Sequence, residues 1–96
     1  MSDLRAELAE MVDQAEWDWL EEHAKRGRVI VVAPNLDLIE VGVAIAEDQV
    51  TTVQQWMADG WIYYPTEEQI SDWNQNKTQS FASLIIQPFV LLKSEV

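Results

Sequence analysis

Asp37, Glu40 and Glu47 share one stripe of a helix-spaced run from Asn35 to Met57, with Asp48 beside them. Carboxylate oxygens are hard ligands, and Asp37 and Glu40, one turn apart, could share a Mg²⁺ or Ca²⁺ ion. Glu47 lies about two turns further on at about 1.5 Å of rise per residue, too far to join them without another segment. No EF-hand loop spacing is present. Asp37-Leu38-Ile39-Glu40 also fits a capping box with Asp in the cap position, so a helix start explains the same pair without an ion. Asp37 and Glu40 are the candidate metal ligands, and capping is the competing reading.

His23 is the only histidine. A general base needs a nucleophile and an orienting acid, and no local serine motif supplies one. Its neighbours Glu22 and Lys25 place it in the last turn of a helix, where a boundary side chain gains from the helix dipole. Gly27, Gly42 and Gly60 are isolated from one another. A phosphate-binding loop or a dinucleotide fingerprint needs clustered glycines, so both are excluded. With no cysteine in the chain, disulfides, thiolate nucleophiles and Cys-based zinc sites are excluded too. No catalytic residue and no cofactor follows from these types and spacings.

The aromatic side chains carry a stronger signal. Trp17, Trp19, Trp56, Trp61, Tyr63, Tyr64 and Trp73 are dense for 96 residues. Most belong in a core, because large rings supply much of a small domain's buried area. The neighbours Trp61, Ile62, Tyr63 and Tyr64 cannot all face inward from one strand, since successive side chains alternate. Trp56, Trp61, Tyr63, Tyr64 and Phe89 are therefore the candidate interaction surface, for self-association as a homodimer or for another protein.

The elements that would carry these residues can be read along the chain. Residues 3–26 predict one long helix or two short ones, with Leu4, Leu8, Met11, Ala15 and Trp19 as an apolar stripe. Trp17, Leu20 and Ala24 fall on a rotated face, which points to a break near Asp13–Ala15. Gly27 ends that helix, and Arg28 to Ala33 is a buried β-branched strand stopped by Pro34. The apolar spacing Leu36, Ile39, Val43, Ala46, Val50, Val53, Met57 is unbroken. Glu47-Asp48 offers a second start, and two helices, about 36–46 and 49–59, are preferred to one. Trp61 to Tyr64 is strand-like, and Thr66-Glu67-Glu68-Gln69 is a capping box opening a helix to about Asn76. Ser80 to Leu92 reads as one last strand, bulged or bent at Pro88. The expected fold is a single α+β domain over 1–96. Its small three-stranded sheet packs with four to five helices in the order α(α)-β-α-α-β-α-β, the C-terminal strand in the middle.

Charge narrows the partners. The formal net charge is −11, with twelve acids and four bases in residues 1–48. That field repels phosphate backbones, so no nucleic-acid partner is expected. The one basic cluster, Lys25, Arg26 and Arg28, suits a helix C-terminus. Glu21–Lys25 and Glu22–Arg26 are also favourable i,i+4 pairs. The opening residues lack a basic start followed by an apolar stretch, and no apolar run approaches the roughly 20 residues needed to span a bilayer. No membrane partner is expected, and the protein is read as cytoplasmic.

Across nearly the whole chain the residues follow a pattern. Trp17, Gly27-Arg28-Val29-Ile30-Val31-Val32, Leu36-Asp37-Leu38-Ile39-Glu40-Val41, Ala46-Glu47-Asp48, Trp56, Glu68-Gln69, Trp73 and Pro88-Phe89-Val90-Leu91-Leu92 together resemble a family of small bacterial proteins known as domain of unknown function 2288. The family carries Trp where this chain has Phe89, and Ala where it has Gly42. Gly weakens a helix by about 1 kcal/mol relative to Ala. Membership would imply a bacterial cytosolic protein and brings no activity, cofactor or catalytic residue.

The leading expectation is thus a non-catalytic interaction or regulatory module. The alternative is a small metal-dependent site or enzyme using Asp37, Glu40 and Glu47, joined by His23 if the fold brings it near. A third class is acidic mimicry of a nucleic acid by the negative N-terminal half.

Overall fold

Val29, Ile30, Val31 and Val32 are all buried, and this four-residue run organises the molecule. A strand apolar on both faces needs a covering layer on each. The computed structural model describes residues 3–93 and supplies both layers. In chain order the elements are α1 (Leu4–Met11), β1 (Asp13–Glu16), α2 (Trp17–Lys25), β2 (Val29–Val32) and α3 (Leu38–Ala46). They continue as α4 (Val50–Ala58), β3 (Ile62–Tyr63), α5 (Glu67–Asn74), β4 (Ser80–Ile86) and β5 (Phe89–Lys93). The strands form one mixed sheet in the order β1-β4-β5-β2-β3. β2 and β5 pair in parallel, and the other neighbours are antiparallel.

Side-chain alternation divides the sheet between two cores. Ile30, Val32, Ile62, Leu84, Ile86 and Leu91 face α1, α3 and α4, where Leu8, Leu38 and Val41 close the packing. Val29, Val31, Phe81, Val90 and Leu92 face the other way and meet Trp17 and Leu20 of α2, with Ile70 and Trp73 of α5 alongside. Trp17 is fully buried, and its indole N–H donates to Asn74 Oδ1 at 2.7 Å. Its ring sits 4.9 Å from that of Trp73, which meets Phe81 edge-on at 5.2 Å. These aromatic contacts tie both helices of that layer to the sheet.

Among the described residues the sheet has five strands, not the expected three. Ser80 to Leu92 is a hairpin rather than one strand: β4 and β5 are joined at Gln87–Pro88 and pair antiparallel from Ser83↔Leu92 to Ile86↔Phe89. Proline has no amide to continue a ladder, and here the chain reverses at it instead of bending. The apolar runs on either side hide the reversal, because Leu84, Ile86, Val90, Leu91 and Leu92 are buried on both sides of it. The fifth strand, β1, occupies the break foreseen at Asp13–Ala15. Its sequence Asp-Gln-Ala-Glu has no strand preference, and pairing with Ser80 to Ser83 of β4 creates it. The break also turns Trp19 out of the stripe drawn through Leu4 and Leu8; it is 47% exposed, while Trp17 and Leu20 are buried.

Other boundaries follow local chemistry. The long apolar run is two helices, and Asp48 between them has φ +57. A left-handed residue at this point ends α3 and redirects the chain, with the Gln49 amide donating to the Ala44 carbonyl at 2.8 Å. Thr66 and Gln69 form the reciprocal capping box. The C-terminal strand β5 lies in the middle of the sheet, as expected.

Gly42 has a packing role. A Cβ at this position would lie 2.6 Å from Leu84 Cδ2 and 3.3 Å from Leu8 Cδ1, so the glycine lets α3 approach β4 and α1 closely. Overpacking costs about 1–3 kcal/mol and the gain in helix propensity about 1 kcal/mol. Gly42→Ala should therefore destabilise the protein by about 1 kcal/mol in urea denaturation. Leu84→Val removes the opposing methyl, so the double variant should lose less than the two single losses added together. Strict additivity would show that the close approach carries no cost.

Candidate functional site

The five candidate interaction residues do not form one patch. Strand alternation sends Tyr63 to the α5 side of the sheet, where it packs in the second core and its hydroxyl accepts from Gln69 Nε2 at 3.4 Å. Trp56 and Phe89 are half-buried against the α3–α4 core. Trp61, in the turn before β3, is at the border of exposure, and Tyr64 is 49% exposed.

Tyr64 and Phe89 do meet at a concave surface. They line a groove between α3, α4 and the sheet together with Ile45, Val50, Val53 and Met57, and Ile30 of β2 lies at its floor. The groove exists because α4 is incompletely covered. Val50, Val53 and Met57 make an apolar stripe along that helix, yet no residue of α4 is fully buried, and Val50 is 52% exposed. The Asp48 turn delivers Val50 to the rim, where Gln49 and Gln54 add amides and Asp48 the one carboxylate.

Size limits what the groove can take. Its volume is about 190 Å³. Pockets that enclose a substrate or cofactor usually run about 300–1,000 Å³, whereas about 150 Å³ holds a single aromatic ring. The space suits one bulky apolar side chain. Val50, Val53 and Met57 were visible in the sequence as a 3–4 stripe, but periodicity alone assigned them to the core.

The acidic candidates do not converge. Asp37 is the N-cap of α3, its side chain accepting from the Ile39 amide at 2.9 Å. Glu40 is exposed in the first turn of that helix, and Glu47 is the exposed residue that ends it. His23 lies on α2, across the sheet from all three, with its ring 4.5 Å from that of Trp19. Among the described residues no three His, Asp or Glu side chains are grouped so as to hold a metal ion. Lys25 and Arg26 lie at the end of α2, as a helix C-terminus favours, and Arg28 follows Gly27 beyond it.

With that geometry in hand, comparison with known proteins assigns the family: residues 3–94 match the profile described as protein of unknown function (DUF2288). The chain belongs to this family. The fold recurs in the NMR solution structure of PA1075 from Pseudomonas aeruginosa. That structure superposes with a TM-score of 0.80 at 25% sequence identity, over 100% of this chain and 88% of that one. No curated protein matches the chain. Among the described residues no helix is long and apolar enough to cross a membrane.

Capping and ion binding at Asp37 predict different variants. As a cap, Asp37→Ala should lower stability by about 1 kcal/mol, while Asp37→Asn, an equally good cap, should melt like the parent. Melting curves with and without millimolar MgCl₂ should superimpose. A magnesium-dependent rise in Tm that Asp37→Asn removes would assign an ion there instead.

Proposed function

We propose that the protein is a non-catalytic interaction module, and that the groove beside α4 takes one large apolar side chain from a partner protein. The observation that carries this reading is the half-open stripe Val50, Val53, Met57, which with Tyr64 and Phe89 lines a cavity of about 190 Å³. Interface energy concentrates where an anchor side chain fills such a pocket and sheds its water. Trp56 and Trp61 flank the groove in sequence and extend the candidate contact surface; Tyr63 does not belong to it.

Charge indicates the partner's chemistry. Asp48 is the one acidic side chain of the rim, and the whole chain carries −11. A segment with an apolar anchor between basic residues would be drawn to this surface, and an acidic one repelled. The carboxylate-enzyme reading has less support, since Asp37 is engaged in capping and Glu40 and Glu47 stand apart from His23.

A synthetic lysine-flanked peptide with a central tryptophan provides the probe, with an alanine-centred version as control. NMR titration should give saturable shifts confined to Ile45, Val50, Val53, Met57 and Tyr64. Val50→Ser and Tyr64→Ser, both at exposed positions, should weaken binding about tenfold with little effect on stability. No saturable shift at millimolar peptide, or an equal response to the alanine control, would overturn the proposal.

A further inference from the structure

The opposite face of the sheet carries a second opening, beside α2. The pairing of β1 with β4 stops at Asp13↔Ser83, so Ile85, two residues further along β4, has no neighbour on the β1 side. Its partner on β5, Val90, is buried, but Ile85 is 40% exposed. Trp19 borders the same gap. An isoleucine in the second strand of a sheet and a half-exposed tryptophan are unusual things to leave together in water.

Two depressions meet at this pair. One runs toward the start of α2, and the ionisable side chains lining it are Asp13, Glu16 and Asp18. The other runs toward the end of α2 and the β4–β5 turn, and its ionisable side chains are His23 and Arg28. Both are lined by Trp19 and Ile85. Their volumes, about 460 and 590 Å³, exceed what a single side chain fills, and both lie open to solvent beside the exposed Trp19 and Ile85, so the trough suits a surface rather than an enclosed ligand. It is acidic at one end, apolar in the middle and basic at the other.

The helix dipole accounts for part of this polarity, since acids favour the start of α2 and cations its end. It does not account for Arg28, which lies past Gly27 and beyond the last turn. Among the described residues the ion pair formed is Lys77–Glu21 at 3.1 Å, and Arg28 has no carboxylate within pairing distance. In a chain of net charge −11, that arginine is the cation lining this depression, without a counter-charge beside it.

A surface with this order of charge is complementary to itself when turned by half a revolution. We propose that a second copy of this chain docks on the trough about a two-fold axis near Trp19 and Ile85, with His23 and Arg28 of each copy facing the acids Asp13, Glu16 and Asp18 of the other. The two apolar side chains of each copy meet at the axis, and every opposite-charge contact is made twice. The surface is distinct from the groove beside α4 and lies across the sheet from it, so the two readings stand or fall separately.

Complementary charge reversal tests this arrangement. Sedimentation velocity on the full chain at about 0.15 M ionic strength should show a dimer in the micromolar range. Arg28→Glu alone should weaken it about tenfold or more, because acid then faces acid, and Asp13→Lys/Asp18→Lys alone should do the same with bases. An equimolar mixture of the two variants should restore a heterodimer of near-parental affinity, since each opposed pair is again of opposite sign. Ile85→Lys should weaken association with no recovery when mixed with either charge-reversal variant, and circular dichroism melts check that every variant folds. Val50→Ser and Tyr64→Ser should leave dimerisation unchanged. A strict monomer up to millimolar concentration would overturn the proposal. So would dimers indifferent to the charge reversals, a mixture that fails to recover, or loss of the dimer on altering the α4 groove alone.

Discussion

The parallel pairing of β2 with β5 is the constraint on which the rest of the structure depends. Val29 to Val32 lie beside Val90 to Lys93. The two segments are about sixty residues apart in sequence, and each is buried on both faces where they pair. A parallel pair cannot be joined by a hairpin, so the intervening chain must cross a face of the sheet and return. Helices α3, α4 and α5 lie on that return path. Because β2 and β5 are apolar on both sides, a single helical layer would leave half of their side chains in water. The second layer, α2 with α5, is therefore as necessary as the first.

Both openings arise from how these two layers end. Near α4, no residue of the helix is fully buried and Val50 stays exposed, so one edge of its stripe is accessible. Near α2, a nine-residue helix spans a face that grows wider where the β4–β5 hairpin extends past the end of β1. The edges themselves are guarded. β3 is two residues long, and β1 carries Asp13 and Glu16, two devices that discourage pairing with another sheet.

How much of this was legible depended on whether the signal was local. Gly27 marked a helix stop, and it and Gly60, which follows α4, have φ of +70 and +78, values that glycine adopts without a side-chain clash. Thr66 and Gln69 announced the start of α5, and Glu47-Asp48 the break between α3 and α4. At the two missing strands the markers read as a helix break near Asp13–Ala15 and a bend at Pro88. β1 is polar and short, and the segments before Gln87 and after Pro88 are both apolar. β1 exists by hydrogen bonding to β4, a segment distant in sequence, and the β4–β5 reversal is defined by strand register, neither of which hydrophobic periodicity records. Among the site residues, the aromatic excess was a valid sign of partly uncovered surface, but it did not say which rings were uncovered. Trp19 was placed on the apolar stripe of the first helix and is 47% exposed, and Tyr63 was placed on the candidate contact surface and packs beneath α5.

The sequence by itself determined the α+β class, the helix boundaries set by caps and glycines, the central place of the C-terminal strand, and an acidic surface poor in cations. It also exposed the absence of clustered glycines and of cysteine, which removes whole classes of chemistry. Only the tertiary structure decided that Asp37 caps α3 instead of meeting His23, that Val50 and Tyr64 share a groove, and that Trp19 and Ile85 meet between an acidic and a basic end. The physical reason is the same in each case. Propensity, capping and hydrophobic period act over a few residues, whereas a binding surface is assembled from side chains whose proximity is fixed by strand register and layer packing.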